Sequence, residues 1–250
     1  KSIDREITQE ALEMVQSGAA LSSSAATIVY NPNWNKGVVG IVASRLVEAF
    51  YKPTIVLTKS NDFITGSARS VAGFDLYEAI DSCADLMENF GGHVYAAGLT
   101  LREENLPEFV RRIEEFISTR ITQEMLTPFT EIDARLEFSQ ITPKFFRLLK
   151  QFQPFGPGNT NPVFQTENVY DGGKGRKVGA DGVHMKLDLI DEKQPFHQIP
   201  AIAFNMSEYF DYIKAGNPFD ICYSIVENYY RGNSTLQLRI KDIREREEPI

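Results

Sequence analysis

The sequence predicts an α/β domain followed by a small all-β barrel domain, and three observations carry that reading. Over residues 27–118 short β-rich runs alternate with amphipathic helical stretches, the order of a layered α/β fold. Around Thr119–Thr130 this pattern breaks, with Pro128 among threonines at the joint. Beyond it lie five β-rich segments separated by turn signals, with little helix, for which an OB-fold-like barrel is the first candidate. The division is a helical tail over 1–20, an α/β domain over 21–125 and a barrel domain over 126–250.

Taken in order, residues 2–17 read as a helix, with Ser2 as N-cap, Ile3, Ile7, Leu12 and Val15 as apolar positions, and Gly18 as the stop. Thr27–Tyr30 is a strand, Asn31-Pro32-Asn33 a loop, and 36–51 a helix with Val38, Ile41, Val42 and Leu46 at helical spacing. The start of that helix, Trp34 to Gly37, presents free backbone N–H groups and a positive dipole end, a natural anion seat. Strands follow at 53–57 and 63–70, then a helix over 75–90 that Gly91 terminates, a strand at 95–101 and a charged helix over 106–118. The second domain opens with a strand at 132–138 and a helix over 143–152 with Pro143 at its first position. Its β-rich segments are 162–170, 175–179, 183–191, 198–204 and 219–243, the last folded on itself at Arg231-Gly232-Asn233. Leu236, Leu238 and Ile240 show the period of two expected of a strand with one buried face.

Lys and Arg number 26 against 34 Asp and Glu, a net charge of −8. Nonspecific nucleic-acid affinity comes mainly from neutralising phosphates with cations, so the average charge argues against such a ligand. A local basic strip on an acidic body still permits one. The acids gather away from the motifs, at Glu103, Glu104, Glu108, Glu114 and Glu115 and in the tail at Glu245, Glu247 and Glu248; the cations near Lys36, Arg45 and Arg69 have few sequence-local carboxylates. No apolar run reaches the ~18 residues of a transmembrane helix. Lys1 to Glu6 has no apolar core of a secretory signal, and the missing initiator Met points to a partial or processed chain. Cys83 and Cys222 lie far apart without Cys or His at ligand spacing, so the expectation is two small buried thiols, no zinc and a reduced cytoplasmic protein.

Chemistry concentrates in a few places. In Gly91-Gly92-His93-Val94-Tyr95-Ala96-Ala97-Gly98 two glycines allow close backbone approach to a ligand, and the imidazole can hold a phosphate oxygen. Taken alone it reads as a helix C-cap with a structural histidine. Arg69 in Gly66-Ser67-Ala68-Arg69-Ser70 suits bidentate phosphate binding, with the two serine hydroxyls as further donors. Trp34, the only tryptophan, either stacks on a base or ribose beside Lys36 or packs against the helix as an apolar staple. In the barrel half Arg176, Lys177, His184 and Lys186 lie on adjacent strand segments, with Tyr229, Tyr230 and Arg231 on a later loop, one tyrosine expected in the core and one outside. Cations interleaved with aromatics are how single-strand platforms work. His197 reads as a loop residue without a catalytic role, and Pro154-Phe155-Gly156-Pro157-Gly158-Asn159 as a rigid segment that fixes how the barrel sits on the first domain.

Gly91 to Thr100, read as Gly-Gly-His-x-x-Ala-Ala-Gly-Leu-Thr, resembles the signature of the DHHA1 domain, the substrate-binding part of the DHH phosphoesterase superfamily. Trp34 to Leu46 and Gly66 to Ser70 stand in the order and spacing of that family, and Pro154 to Asn159 resembles a motif of its RecJ single-strand exonuclease branch; together the likeness covers residues 1–243. The resemblance implies a DHHA1 domain plus OB domain from a 5′→3′ single-stranded-DNA exonuclease of repair and recombination. Phosphates would be bound by Trp34, Lys36, Ser67, Arg69, Ser70, Gly91, Gly92 and His93, and single-stranded DNA would also meet the barrel residues named above. It further implies a DHH catalytic domain that uses Mn2+ or Mg2+, with a single-strand-binding protein or a repair helicase as protein partners. No Asp-His-His occurs here and His totals three, so this chain is expected to carry no catalytic residue, metal ligand or cofactor, and to cleave nothing by itself. Two alternatives stand beside this reading. One is a DHH-family oligoribonuclease or cyclic-dinucleotide phosphodiesterase, whose chain should stop near residue 125; the other is a non-catalytic protein-interaction module.

Overall fold

The computed structural model describes residues 3–18, 24–156, 158–192, 194–230 and 232–246, with backbone alone at 194–196 and Tyr230. Ser2, Pro157 and Arg231 lie outside the described residues. The chain divides into two compact units, Lys1–Pro128 and Phe129–Ile250.

In the first unit, helix α1 (Ile3–Ser17) leads to strand β1 (Thr27–Tyr30), helix α2 (Val39–Phe50), and strands β2 (Thr54–Ser60) and β3 (Phe63–Arg69). Helix α3 (Leu76–Asp81), strands β4 (Met87–His93) and β5 (Ala96–Arg102) and helix α4 (Leu106–Arg120) complete it. The strands form one sheet in the order β1-β2-β3-β5-β4, with β1 parallel to β2 and the other pairs antiparallel. Alternation along β2 feeds two cores: Val56 joins Ile7, Ala11, Val29, Val42 and Leu46, whereas Ile55 and Leu57 join Ile64, Ala68, Ile80, Leu99, Phe109 and Ile113. Phe109, Ile113 and Ile117 recur every four residues, which lays one face of α4 on the sheet.

Two elements here differ from the sequence expectation. The helix over 75–90 is only α3: the Asp75 carboxylate caps it by accepting from the Glu78 N–H at 3.0 Å, and it ends at Asp81. A 3-10 turn at Ala84–Leu86 follows, and Gly91-Gly92-His93 then lies on β4, an edge strand, rather than at a helix C-cap. Antiparallel pairing with β5, in a hairpin turned at Val94-Tyr95, decides this segment. The helix over 36–51 begins at Val39, because the Asn35 carbonyl and side chain take the N–H groups of Val38 and Gly37 into a turn at 3.1 and 2.8 Å.

In the second unit, strand β6 (Ala134–Arg135) and helix α5 (Pro143–Leu149) precede strands β7 (Phe164–Asp171), β8 (Arg176–Val178), β9 (His184–Asp191) and β10 (Gln194–Ala203). Helix α6 (Phe210–Lys214) and the long hairpin β11 (Phe219–Tyr230) and β12 (Asn233–Glu245) follow. The order β7-β11-β12-β10-β9, closed by pairing of β9 with β7, makes a five-stranded barrel. Met185, Leu187, Leu189, Ala201, Phe219, Ile221, Tyr223, Leu238 and Ile240 fill it. The Tyr223 hydroxyl is buried and bonded to Thr166 Oγ1 at 2.8 Å. Of the strand expected at 132–138 only Ala134–Arg135 pairs, because Phe138 turns into the core as a 3-10 turn begins. The helix from Pro143 stops at Leu149, α6 was not anticipated by the period-two pattern, and His197 sits on β10 rather than in a loop. Asn159 fastens the Pro154–Asn159 segment locally, its side-chain amide donating to the carbonyls of Phe152 and Pro154 at 2.8 and 3.0 Å.

Candidate nucleic-acid interface

Ser67 and Arg69 share one face of β3, since Ile64, Gly66 and Ala68 alternate into the core. Register extends that face across the sheet. Arg69 pairs with Ala96 and Ala96 with His93; Ser67 pairs with Gly98 and Gly98 with Gly91. The result is a shallow trough with cation and hydroxyl on one side, His93 on the other, and a floor of Gly98, Ala96 and Gly91. A Cβ placed on Gly91 would meet nothing within 4 Å, so its surface is open to a ligand. Gly92, one residue on, is different: a Cβ there would fall 2.2 Å from the Ala96 carbonyl oxygen and 2.5 Å from Ala97 Cα. One glycine leaves the floor open and the other lets the hairpin close.

The trough is held from both ends. Arg69 Nη1 donates to Ser67 Oγ and to the Ala68 carbonyl, each at 2.8 Å, which fixes the guanidinium over the strand. Helix α2 borders it: a Cβ on Gly40 would lie 3.0 Å from Arg69 Nη2 and 3.2 Å from Ser67 Oγ, so a side chain there would press on both groups and make them shift by a few tenths of an ångström. The Val94-Tyr95 turn is tied down where Ser70 N–H donates to the Tyr95 carbonyl and Leu76 N–H to the Val94 carbonyl, both at 3.0 Å. His93 Nδ1 accepts from Tyr95 N–H at 3.3 Å, and the exposed Tyr95 ring meets the imidazole edge-on at 6.3 Å.

Other expected members stand elsewhere. Trp34 is 4% exposed and its indole N–H donates to Glu10 Oε2 at 2.8 Å, so it is core between α1 and α2 and presents no ring for stacking. Ser70 Oγ donates to the Phe74 carbonyl at 2.8 Å and closes the turn after β3. Lys36 is exposed at the approach to α2. Arg45 is paired with Asp4 at 2.6 Å and belongs to the α1–α2 contact. The acids of the α4 region are largely compensated in place. Hydrogen bonds from Arg111 and then Arg112 hold the Glu108 carboxyl down to about 2, Glu103 pairs with Lys59, and Glu114 accepts from the Ala25 and Ala26 N–H groups.

On the barrel, register aligns Arg176 with Lys186, Lys186 with Ile202, Ile202 with Arg239, and Arg239 with Ser224. Three cations thus stand in one row across four strands. Phe204 is 43% exposed beside that row, with the Arg239 guanidinium 5.3 Å from its ring centroid and His184 edge-on at 5.2 Å. A groove of about 200 Å³ runs past Lys174, Arg176, Lys186, Asn228 and Gln237. Lys177 departs from the expectation: it is in register with the core residue Met185, and its ammonium lies 5.2 Å from the Phe210 ring of α6. Tyr229 is 70% exposed at the hairpin end; the Tyr230 side chain and Arg231 lie outside the described residues. Arg239, Phe204, Gly40 and Tyr95 were not singled out from sequence. The alternation that buries Leu238 and Ile240 was signal enough for Arg239.

Residues 23–119 match the DHHA1 domain and residues 132–242 the RecJ OB domain. The single-stranded-DNA-specific exonuclease RecJ of Bacillus subtilis is 35% identical over 238 residues, covering 94% of this chain and 30% of that protein. The protein of the same name from Haemophilus influenzae is 30% identical over 258 residues, covering 100% of this chain and 44% of its own length. A crystal structure of RecJ in complex with Mn2+ from Thermus thermophilus shares the fold, with a TM-score of 0.74 at 23% identity over 98% of this chain and 34% of that one. The chain belongs to the RecJ family and carries its DHHA1 and OB domains. It spans less than half the length of these relatives. Among the described residues no group of three or more His, Cys, Asp or Glu is arranged to hold a metal ion, and no helix is long and apolar enough to cross a membrane.

Proposed function

We propose that this chain is the strand-binding part of a 5′→3′ single-stranded-DNA exonuclease of repair and recombination, in the cytoplasm. The observation that carries the reading is the trough on β3, β5 and β4. It sets a guanidinium, a hydroxyl and an imidazole around a floor of two glycines and one alanine methyl, which fits a phosphodiester backbone rather than an apolar ligand. The row Arg176, Lys186 and Arg239 with Phe204 supports a second contact, in which cations follow the backbone and a ring stacks on a base. This accommodates the net charge of −8: the binding surfaces are local, and the acids around α4 are paired in place.

The described residues do not fit the Mn2+ or Mg2+ that the family resemblance implies. Hydrolysis is therefore assigned to a DHH catalytic domain acting with this part, to which the chain presents its phosphates. The RecJ OB match over 132–242 favours this branch over an oligoribonuclease or cyclic-dinucleotide phosphodiesterase. A single-strand-binding protein or a repair helicase is the expected class of protein partner, and a groove of about 640 Å³ on the barrel unit, lined by Phe146, Arg147, His197, Ile199 and Leu236 among others, is a candidate surface for one. Equilibrium binding of single-stranded and double-stranded oligonucleotides to the 250-residue chain tests the reading. Preference for single strands is expected, and absence of binding at low salt would overturn it.

A further inference from the structure

The face that bears the trough does not end at Ser67. Continuing along the strands, Thr65 pairs with Thr100 and Thr100 with Asn89, and Phe63 then pairs with Arg102. No bulge interrupts β3 or β5 between these rows, so the four β3 positions and their partners all address the same side of the sheet. Phe63 is 36% exposed although it is a large apolar residue at a strand end. Beside it, Arg102 keeps more than half of its side chain in solvent. Its Nε–H donates to Glu88 Oε1 at 2.7 Å, and among the described residues nothing accepts from its terminal amino groups. Glu88 is the extra residue where the β4–β5 register slips between Met87 and Asn89, a bulge that turns its carboxylate toward Arg102.

We propose that Phe63 and Arg102 form a second nucleotide station on this sheet, reached by the same strand whose phosphate lies at Arg69 and His93; this rests on the phosphate-binding reading of the trough. Phe63 stacks on a base and the Arg102 amino groups take a phosphate, while Thr65, Thr100 and Asn89 offer hydroxyl and amide donors between the stations. About six residues of strand separate Phe63 from Arg69, roughly 20 Å. That is the length of about six stacked nucleotides, or fewer extended ones. The ligand class is therefore an extended single-stranded oligonucleotide, and a short one cannot use both ends. Glu88 competes for Arg102 through an exposed ion pair that a phosphate can displace.

The test compares a thymidine octanucleotide, by fluorescence anisotropy, with a thymidine trinucleotide, by competition. The full chain is used with Arg176, Lys186 and Arg239 replaced by Ala, so that the barrel does not mask the result. Phe63→Ala combined with Arg102→Gln is expected to weaken the octanucleotide about tenfold and the trinucleotide less than twofold. Glu88→Gln should tighten the octanucleotide, and Arg69→Ala should weaken both. An unchanged octanucleotide affinity in the Phe63/Arg102 variant, or equal loss for both lengths, overturns the second station. Loss there with no effect of Arg69→Ala on either length would instead remove the phosphate site at the other end.

Discussion

Arg69 and His93 stand on strands that do not pair with each other, yet both are in register with Ala96 of the strand between them. Two residues 24 positions apart are thus placed across one methyl group by sheet register alone. The contact each makes to its neighbours is local: Arg69 to Ser67, His93 to Tyr95. Removing either side chain should therefore spare the fold. Arg69→Ala and His93→Ala are each expected to cost about 1.5–3 kcal/mol in single-strand binding, the range for a hydrogen bond to a charged group. Titrations of each variant, with thermal melting as a control on folding, check this. Unchanged binding in both would leave the trough without a ligand.

The two glycines of the motif should separate cleanly. Gly92→Ala places a methyl group within 2.2 Å of the Ala96 carbonyl oxygen, and backbone cannot swing away as a side chain can. A loss of about 3 kcal/mol from the first unit is expected. Gly91→Ala meets nothing within 4 Å and should melt with the parent while binding strands more weakly, because the methyl group narrows the floor. Melting curves and titrations of the two variants distinguish these outcomes.

The β-barrel's terminal strand is fastened by Asp220, which is 2% exposed and accepts from Arg244 Nη2 and Arg246 Nε, each at 2.6 Å, and from Asn168 N–H at 3.0 Å. Burial alone pushes this carboxyl up, but the donors from Arg246, Arg244 and Asn168 outweigh it and hold it below its ordinary value. A carboxyl whose folded value is depressed contributes stability above the unfolded value and loses it as pH falls through the folded one. Asp220→Asn should then destabilise the barrel by about 2 kcal/mol at neutral pH. The gap to the parent should begin to narrow below about pH 4, where the unfolded carboxyl protonates, and close as the pH falls on through the lower folded value. Chemical denaturation at neutral and acid pH measures both.

These contacts show where the sequence was legible. The period of two through Leu236, Leu238 and Ile240 marked β12 and its buried face, because a barrel strand carries its alternation locally. The motif residues Ser67, Arg69 and His93 were legible as chemistry, whereas their meeting was not, since register between β3, β5 and β4 is a property of the sheet. Residues 82–90 show the same limit: after Ile80 the local pattern does not choose between helix and strand, and pairing with β5 does. Trp34 offered two readings of equal weight until Glu10, 24 residues upstream, supplied its hydrogen-bond partner. Trp34→Phe should accordingly leave strand binding unchanged and lower stability, which a titration and a melt of one variant would show.

Salt dependence tests the barrel surface against the acidic average charge. Arg176, Lys186 and Arg239 share one row, so about three phosphates are neutralised there when a strand binds. For single strands the logarithm of affinity falls by about 0.7 per phosphate for each unit of log salt, so the barrel row contributes roughly −2 to the slope. Replacing Lys186 and Arg239 together by Ala should flatten that slope by more than one unit. Lys177→Ala should change it little, because Lys177 is in register with the core residue Met185 and lies over Phe210 away from the row. Phe204→Ala should weaken binding by about 1–3 kcal/mol without altering the slope, since stacking releases no counterions. Anisotropy titrations over a series of salt concentrations read all three effects. A slope near zero, or one that ignores Lys186 and Arg239, would take the strand off the barrel and give its outer face to a protein partner instead.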